Sequence, residues 1–403
     1  MKILFLTDNF PPEMNAPATR TWEHCKEWVK QGIEVTVITC APNFPKGKVF
    51  DGYKNKFIQS EIVDGIKVVR VWSYISSNSG FLKRIIDYIS FAVMSFIVGL
   101  FHKTDIIIAT SPQFFTTISG YLLSIFKRKP WVFELRDIWP ESIKAVGAMK
   151  SSKLLDSFEK LELFLYRKAD LIISVTESFK SNLINRGVEE NKIKVVKNGV
   201  DLSVYKPAEK DMDLLTELNL QDKFIVGYIG THGMAHGLSF ILDSIKGLSN
   251  NIHFLFIGGG ATKEKLLKQA ISLELDNCTF LDFVPKSEIV RYISIIDVAL
   301  VNLKKSDTFK SVIPSKIFEN SAMLKPILLG VQGESESLVV DYNAGVCFEP
   351  ENKDDFLRKL NVLYLENKSE SLNYSAGLEG LAKDFDRQKL ANDMLSELKQ
   401  KIN

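Results

Sequence analysis

The sequence predicts an α/β protein: two doubly wound domains in tandem, each a parallel sheet covered by helices on both faces. Three observations predict it. Short apolar, β-rich runs alternate with helical patterns along most of the chain, the pattern of βαβ units and parallel sheets. The alternation breaks once, at Asn198-Gly-Val-Asp-Leu-Ser-Val-Tyr-Lys-Pro207, and then restarts. At 403 residues the chain exceeds the size of one ordinary core.

Taken in order, Ile3–Thr7 reads as a buried strand. The loop Asp8–Ala18 and an amphipathic helix from about Thr19 to Lys30 follow, with Gly32 closing the helix. Val35–Thr39 is a second strand, and Pro42–Asp64, rich in breakers, is expected to be irregular. Strands are expected at Ile66–Trp72, Ile106–Thr110, Trp131–Glu134, Leu171–Val175 and Ile193–Val196, with helices at Leu154–Lys168 and Glu177–Asn185. After the break, the strand Phe224–Ile229 opens a second series through Ile252–Ile257, Cys278–Leu281, Asp297–Val301, Ile327–Leu329 and Val346–Phe348. Helices Leu238–Lys246, Thr262–Leu273, Ser287–Ile295, Asp354–Tyr364 and Arg387–Lys401 complete it. The expected domains are residues 1–200 and 207–380, with a final helix in 381–403.

Composition narrows the function. Apolar content of 45% and charged content of 25% are those of a globular protein, and a net charge of +2 gives no footprint for nucleic acid. The four cysteines are scattered without a C-x-x-C pair, which points to a reducing compartment and away from a structural zinc site. The first residues are charged too soon for a signal peptide. Residues 81–130 stand apart, with six basic residues (Lys83, Arg84, Lys103, Lys127, Arg128, Lys129) against Asp87 and Asp105. Between them run the apolar stretches Tyr88–Phe101 and Phe114–Phe126, the first too short to span a bilayer. Two readings stand: a core helix with charged ends, or a helix lying on an anionic membrane surface.

In doubly wound sheets ligands bind beyond the carboxyl ends of the strands, and two such sheets facing each other place the site in the cleft between them. Four loops are candidates. The loop after the first strand carries Glu13, Asn15 and Arg20, suited to a diphosphate or a sugar, or to an ordinary Pro-rich connection. Glu134-Leu-Arg-Asp-Ile-Trp-Pro-Glu-Ser142 sets Arg136, Asp137, Trp139 and Glu141 at a strand end, where charges must be paired or used. An Arg136–Asp137 ion pair is the structural alternative there, and Trp139 offers a flat face for a sugar ring. Gly230-Thr-His-Gly-Met-Ala-His-Gly237 is neither a dinucleotide fingerprint nor a P-loop, but it would let a phosphate approach backbone amides near His232 and His236. The histidines lack metal-ligand spacing to Cys or carboxylates. Gly258–Gly260 offers another close approach or simply a tight turn. The fourth loop is Ile313–Leu329, where Pro314 suits a first helical position. Ser315 and Lys316 would then meet a phosphate, and Glu319, ~6 Å farther along the same helix face, the adjoining ribose. The alternative is an ordinary helix with a surface glutamate.

Four motifs carry a family resemblance: Phe10-Pro-Pro-Glu13, Arg136-Asp-Ile-Trp-Pro-Glu-Ser142, Asn198-Gly-Val-Asp201 and Pro314-Ser-Lys-Ile-Phe-Glu-Asn-Ser-Ala-Met-Leu-Lys-Pro326. Together they resemble the family 4 glycosyltransferases of the GT-B class, and within them the L-fucosamine (FucNAc) transferases of bacterial O-antigen and capsule assembly. The resemblance implies a retaining, metal-independent enzyme of cytoplasmic, peripheral membrane location. Its UDP-sugar donor would sit on the second domain, at Glu319, Lys316, Ser315, Gly230, His232, His236 and Gly258. An undecaprenyl-diphosphate-linked sugar acceptor would sit on the first, at Asn15, Arg20, Trp139 and Glu141. Asp137, Arg136 and Glu13 would face the acceptor or the departing oxygen, and the last helix would cross back to the first domain. Two departures stand out. Ser311 occupies the position of the first Glu of the family's E-x7-E pair, and histidines replace the Arg and Lys of the second-domain glycine loop. A nucleotide-sugar 2-epimerase and a non-catalytic nucleotide-sugar-binding subunit share such a fold and remain alternatives.

Overall fold

The structure, a computed structural model, describes residues 1–13, 15–44, 46–75, 81–138 and 153–402. The chain forms two compact units, residues 1–198 with 387–403, and residues 199–386. In the first unit the elements run β1 (Lys2–Leu6), α1 (Ala16–Lys30), β2 (Glu34–Cys40), β3 (Ile58–Val63), β4 (Ile66–Val71) and α2 (Phe81–Gly99). They continue as β5 (Ile106–Thr110), α3 (Phe114–Lys127), β6 (Trp131–Leu135), α4 (Lys153–Lys168), β7 (Leu171–Ser174), α5 (Glu177–Asn185) and β8 (Ile193–Val195). The sheet order is β3-β4-β2-β1-β5-β6-β7-β8. Only β3 against β4 is antiparallel among the described pairs. The sequence reading left Pro42–Asp64 irregular, whereas Ile58–Val63 is an edge strand. It turns into β4 through Asp64 and Gly65, both at positive φ (49° and 80°), a two-residue hairpin.

The central strands are buried on both faces, with Leu4, Leu6, Ile107, Ile108, Val132 and Ile172 fully covered. Such strands cannot show the alternation of a half-solvated sheet, which is why they read as continuous apolar runs. Helix α1 is capped by Asn15, whose side chain accepts from the Ala18 amide at 2.9 Å, so it begins three residues earlier than its periodicity suggested. Helix α2 is apolar around most of its circumference. Phe91, Met94, Ser95 and Val98 are buried on one side, while Ile86, Ile89, Val93 and Ile97 line the other and stay exposed. The stretch is a core helix that keeps an apolar outer face.

The second unit runs α6 (Met212–Glu217), β9 (Phe224–Ile229), α7 (Leu238–Ile245), β10 (Ile252–Ile257), α8 (Lys263–Ser272), β11 (Cys278–Leu281), α9 (Ile289–Ile295) and β12 (Val298–Asn302). Then come α10 (Lys316–Ala322), β13 (Ile327–Gly330), α11 (Glu334–Asp341), β14 (Gly345–Cys347), α12 (Lys353–Lys368) and α13 (Ser375–Asp384). Its sheet is parallel throughout the described pairs, in the order β11-β10-β9-β12-β13-β14. Gly227 in β9 is required by packing, since a Cβ there would stand 2.4 Å from Cγ2 of Ile296. Helix α14 (Arg387–Gln400) belongs to the first unit and lies on α1. The Trp28 indole donates to the Ala391 carbonyl at 2.8 Å, and Arg387 meets Glu23 at 3.1 Å. Among the described residues no helix is long and apolar enough to cross a membrane.

Candidate active site

Each sheet reverses its winding at one point, between β1 and β5 in the first unit and between β9 and β12 in the second. The loops that diverge there leave a crevice at the carboxyl edge, the usual ligand position in doubly wound sheets.

At the second reversal point, the loop after β9 and the turn after β10 are in backbone contact. His232 N–H donates to the Gly259 carbonyl at 2.8 Å, and the Thr262 amide and hydroxyl both donate to the His232 carbonyl. Gly258 (φ 136°) must be glycine, because a Cβ would lie 2.0 Å from the Gly230 carbonyl oxygen. Lys263 fixes this turn by donating to the carbonyls of Gly258 and Leu281, both at 2.8 Å. The Lys316 side chain lies across Gly230, where a Cβ would meet Cε at 2.5 Å and Nζ at 2.9 Å. Its ammonium sits 4.9 Å from the Tyr228 ring centroid. Burial, opposed by Glu319, brings the Lys316 pKa down to about 8. His232 is fully buried, with no hydrogen-bond partner for either ring nitrogen among the described residues. Burial and then the charges of Lys263 and Lys316 lower it to about 4. Burial and then Lys316 lower His236 to about 3. At neutral pH the Lys316 ammonium and two neutral imidazoles share this site, while the Lys263 ammonium is paired with Asp282 at 2.5 Å. The Asn302 amide holds the His236 carbonyl at 2.9 Å, while its Oδ1 has no partner among the described residues.

Helix α10 is seven residues long, and Pro314 precedes its cap, Ser315, instead of opening the helix. So short a helix has little dipole, and the positive charge here is Lys316 itself. Its inner face buries Ile317, Phe318 and Ala322, which leaves Lys316 and Glu319 partly exposed on the other side. Ser311 closes a turn by donating to the Thr308 carbonyl at 3.0 Å. Sequence reasoning named Gly230, His232, His236, Gly258, Ser315, Lys316 and Glu319, and the structure groups Gly230, His232, His236 and Gly258 around Lys316. It missed Tyr228, Asn302 and Lys263. The local signal for Tyr228 and Asn302 was their place at strand ends beside those loops.

In the first unit several expectations are corrected. Arg20 does not face a ligand: it is 1% exposed and forms an ion pair with Glu134 at 2.8 Å. Its other nitrogens donate to the carbonyls of Lys197 and Val196 and to Asn198. Glu134 stays below the usual carboxylate range because Arg20 and Arg136 outweigh the burial that would raise it. Glu13 is likewise consumed by the fold, accepting from the amides of Asn43 (2.7 Å), Phe44 (2.8 Å) and Phe10 (3.3 Å). Asn15 caps the helix and donates to Asn9 at 2.6 Å, and it also lines a cavity with Asp8 and Gln113, so its expected place facing a ligand is not corrected. Arg136 donates to the Pro17 carbonyl at 3.0 Å, and burial lowers its pKa to about 10 against the pull of Glu134. The amides of Arg136 and Asp137 both donate to the Ser111 hydroxyl, which fixes the start of the loop. Trp139 and Glu141 lie outside the described residues.

Comparison with known proteins decides the family. Residues 18–204 match Glycosyltransferase Family 4, and residues 215–376 match Glycosyl transferases group 1. The chain belongs to the family 4 glycosyltransferases. This glycosyltransferase is 25% identical over 411 residues to WcaI of Escherichia coli (strain K12), a glycosyl transferase assigned to colanic acid biosynthesis, covering 98% of this chain and 100% of WcaI. It is also 25% identical over 249 residues to the N,N'-diacetylbacillosaminyl-diphospho-undecaprenol alpha-1,3-N-acetylgalactosaminyltransferase of Campylobacter jejuni, covering 60% and 62% of the two chains. Among solved structures, HepE of Anabaena in complex with UDP and glucose superposes with a TM-score of 0.76 at 17% identity over 99% of each chain. Sucrose-phosphate synthase of Thermosynechococcus elongatus gives 0.78 at 14% identity, over 99% of this chain and 98% of that one. The fold of this glycosyltransferase is therefore GT-B.

Proposed function

We propose that the protein is a retaining, metal-independent hexosaminyl transferase of surface polysaccharide assembly, working at the inner face of the cytoplasmic membrane. Its donor is a UDP-linked N-acetylated hexosamine, the 6-deoxy fucosamine type included, and its acceptor a sugar joined through diphosphate to undecaprenol. The observation that carries the reading is Lys316, an ammonium lying against Gly230 near two neutral imidazoles. A partly buried cation in that setting is stabilised by an arriving anion, and the flanking loops offer backbone amides to the same anion.

In this reading Lys316 and the Gly230–Gly237 loop hold the diphosphate, with His232 and His236 as neutral hydrogen-bond donors. Glu319 takes the ribose hydroxyls. As the sugar–phosphate bond breaks, fixed donors stabilise the charge that grows on the departing UDP, without any rearrangement of solvent. The names of the E. coli and Campylobacter relatives support polysaccharide assembly and a lipid-diphosphate acceptor, and the UDP complex of HepE supports the donor nucleotide. The exposed α2 face and the nearby Lys83, Arg84, Lys103 and Arg128 support membrane docking.

The test is a donor screen. UDP should raise the melting temperature in the presence of EDTA, and labelled UDP-N-acetylhexosamine with a lipid-diphosphate sugar should yield label in the organic phase. A converted free donor with no lipid product would mean epimerisation and overturn transfer.

A further inference from the structure

Strand β3 ends the order of the first sheet, and among the described strands only β4 bonds to it. Its main-chain groups alternate in direction. The Trp72 amide donates to the Phe57 carbonyl at 3.1 Å, and the Asp64-Gly65 hairpin closes on the Val63–Ile66 pair. The odd residues therefore aim their N–H and C=O groups at β4, and Ile58, Ser60 and Ile62 aim theirs outward along the open edge. Sheet edges are usually blunted by charge, by proline or by a covering element. From Phe57 to Val63 there is no proline, and the sole charge, Glu61, is turned back onto Arg70 at 2.6 Å. Ile62 is 69% exposed, and Phe57, just before the strand, 67%.

The segment Lys56-Phe-Ile-Gln-Ser-Glu-Ile-Val-Asp64 is complementary to its own reverse. Laid antiparallel to a second copy about Ser60, it sets Ile58 against Ile62, Phe57 against Val63, Gln59 against Glu61 and Lys56 against Asp64. Apolar meets apolar, a carboxamide meets a carboxylate, and opposite charges meet at both ends. Asp64 accepts the Trp22 indole on Oδ2 at 2.8 Å, which leaves Oδ1 for Lys56. The neighbouring registers that still pair the outward groups lose this match. One sets Lys56 against Ile62, and the other sets Ile58 against Asp64 and Glu61 against itself.

We propose that β3 is a homodimer interface: two copies join antiparallel through it, with the two-fold axis at Ser60. The proposal is independent of the glycosyl-transfer reading. The outward pairs, Ile58 with Ile62 on either side of Ser60 with Ser60, exchange about six hydrogen bonds. The two eight-stranded sheets then become one continuous sheet. Ile58 already pairs with the buried Val71 of β4, and Ile62 of the second copy extends that apolar row. The same patch serves both copies, as closed two-fold symmetry requires.

The experiment is sedimentation velocity of the full chain over a dilution series. The wild type should show a reversible monomer–dimer equilibrium. Ile62→Lys should raise the dissociation constant at least about tenfold. Ser60→Pro should do the same with every apolar side chain of the patch still in place, because it removes an outward N–H and nothing from the β4 ladder. Both variants should keep the near-ultraviolet circular dichroism of the wild type. Ser60→Cys should cross-link to itself through a short bis-maleimide, and Ser272→Cys, exposed on α8, should not. If either dimer variant misfolds, this cross-link decides. A wild type that stays monomeric at the highest concentration, or a Ser60→Cys chain that cross-links no faster than Ser272→Cys, would overturn the proposal. So would a dimer that survives Ser60→Pro, since it would associate through side chains and not through paired strands.

Discussion

The two sheets reverse their winding in the same way, yet opposite charges stand at the two reversal points. Asp8 and Asp87 line the first, and Lys316 lies at the second. A similar contrast separates two cations. Arg20 is enclosed and spends its guanidinium on Glu134 and three further oxygen partners. Lys316 is also held down by burial but faces an aromatic ring and imidazoles. The difference teaches how to sort buried charge. A charge whose partners lie within the fold belongs to the fold, whereas one kept beside soft, neutral groups awaits a partner from outside.

The sharpest break of this comparison is substitution of the two cations. Lys316→Ala should abolish UDP-induced stabilisation and cut transfer by about 10²–10³-fold, the usual cost of one oxyanion donor, with no loss of melting temperature. Arg20→Ala should do the reverse, lowering stability by about 3–5 kcal/mol in urea unfolding through the unpaired Glu134, with residual activity at low temperature. If Arg20→Ala is stable and Lys316→Ala is not, the assignment of roles is inverted.

Titration sharpens it next. The ammonium of Lys316, at about 8 when free, should be held protonated by a bound diphosphate. UDP affinity should then fall as pH rises above 8, by up to about tenfold per unit, and calorimetry in buffers of different ionisation enthalpy should show proton uptake on binding. His232 and His236 act on stability instead. Their folded values of about 4 and 3 lie below the ordinary 6.5, so the unfolded chain binds more protons between those limits. Stability should therefore decline as pH falls from 6.5 towards 4, which thermal melts across that range will measure. The smallest effect is expected on the α2 face. Val93→Glu with Ile97→Glu should reduce sedimentation with anionic liposomes by a few-fold, leaving UDP binding intact.

Much of the fold was legible because buried parallel strands and their helices write themselves as uninterrupted local patterns. Strand β3 was not, since it is a half-exposed edge among breakers, though Asp64-Gly65 was a hairpin signal. The second-unit site was legible for a related reason: a glycine-rich loop directly after a strand, and a lysine at a helix start marked by Pro314 and Ser315, are local patterns. Arg20 and Glu13 were misread because their role is settled by residues far away in the chain. Glu134 lies 114 positions from Arg20, and the Asn43 amide 30 from Glu13. Asp8 and Gln113 escaped notice because their adjacency follows from strand order, which no local window contains.

The seat of helix α14 on α1 bears on how the molecule comes into being. Leu390, Met394, Leu395 and Leu398 are buried there, and Trp28 waits for the Ala391 carbonyl. During synthesis the ribosome delivers these residues only after the whole second unit. Until then the first unit carries an uncovered apolar groove and an unmet indole N–H, so its maturation is timed by the end of translation of α14.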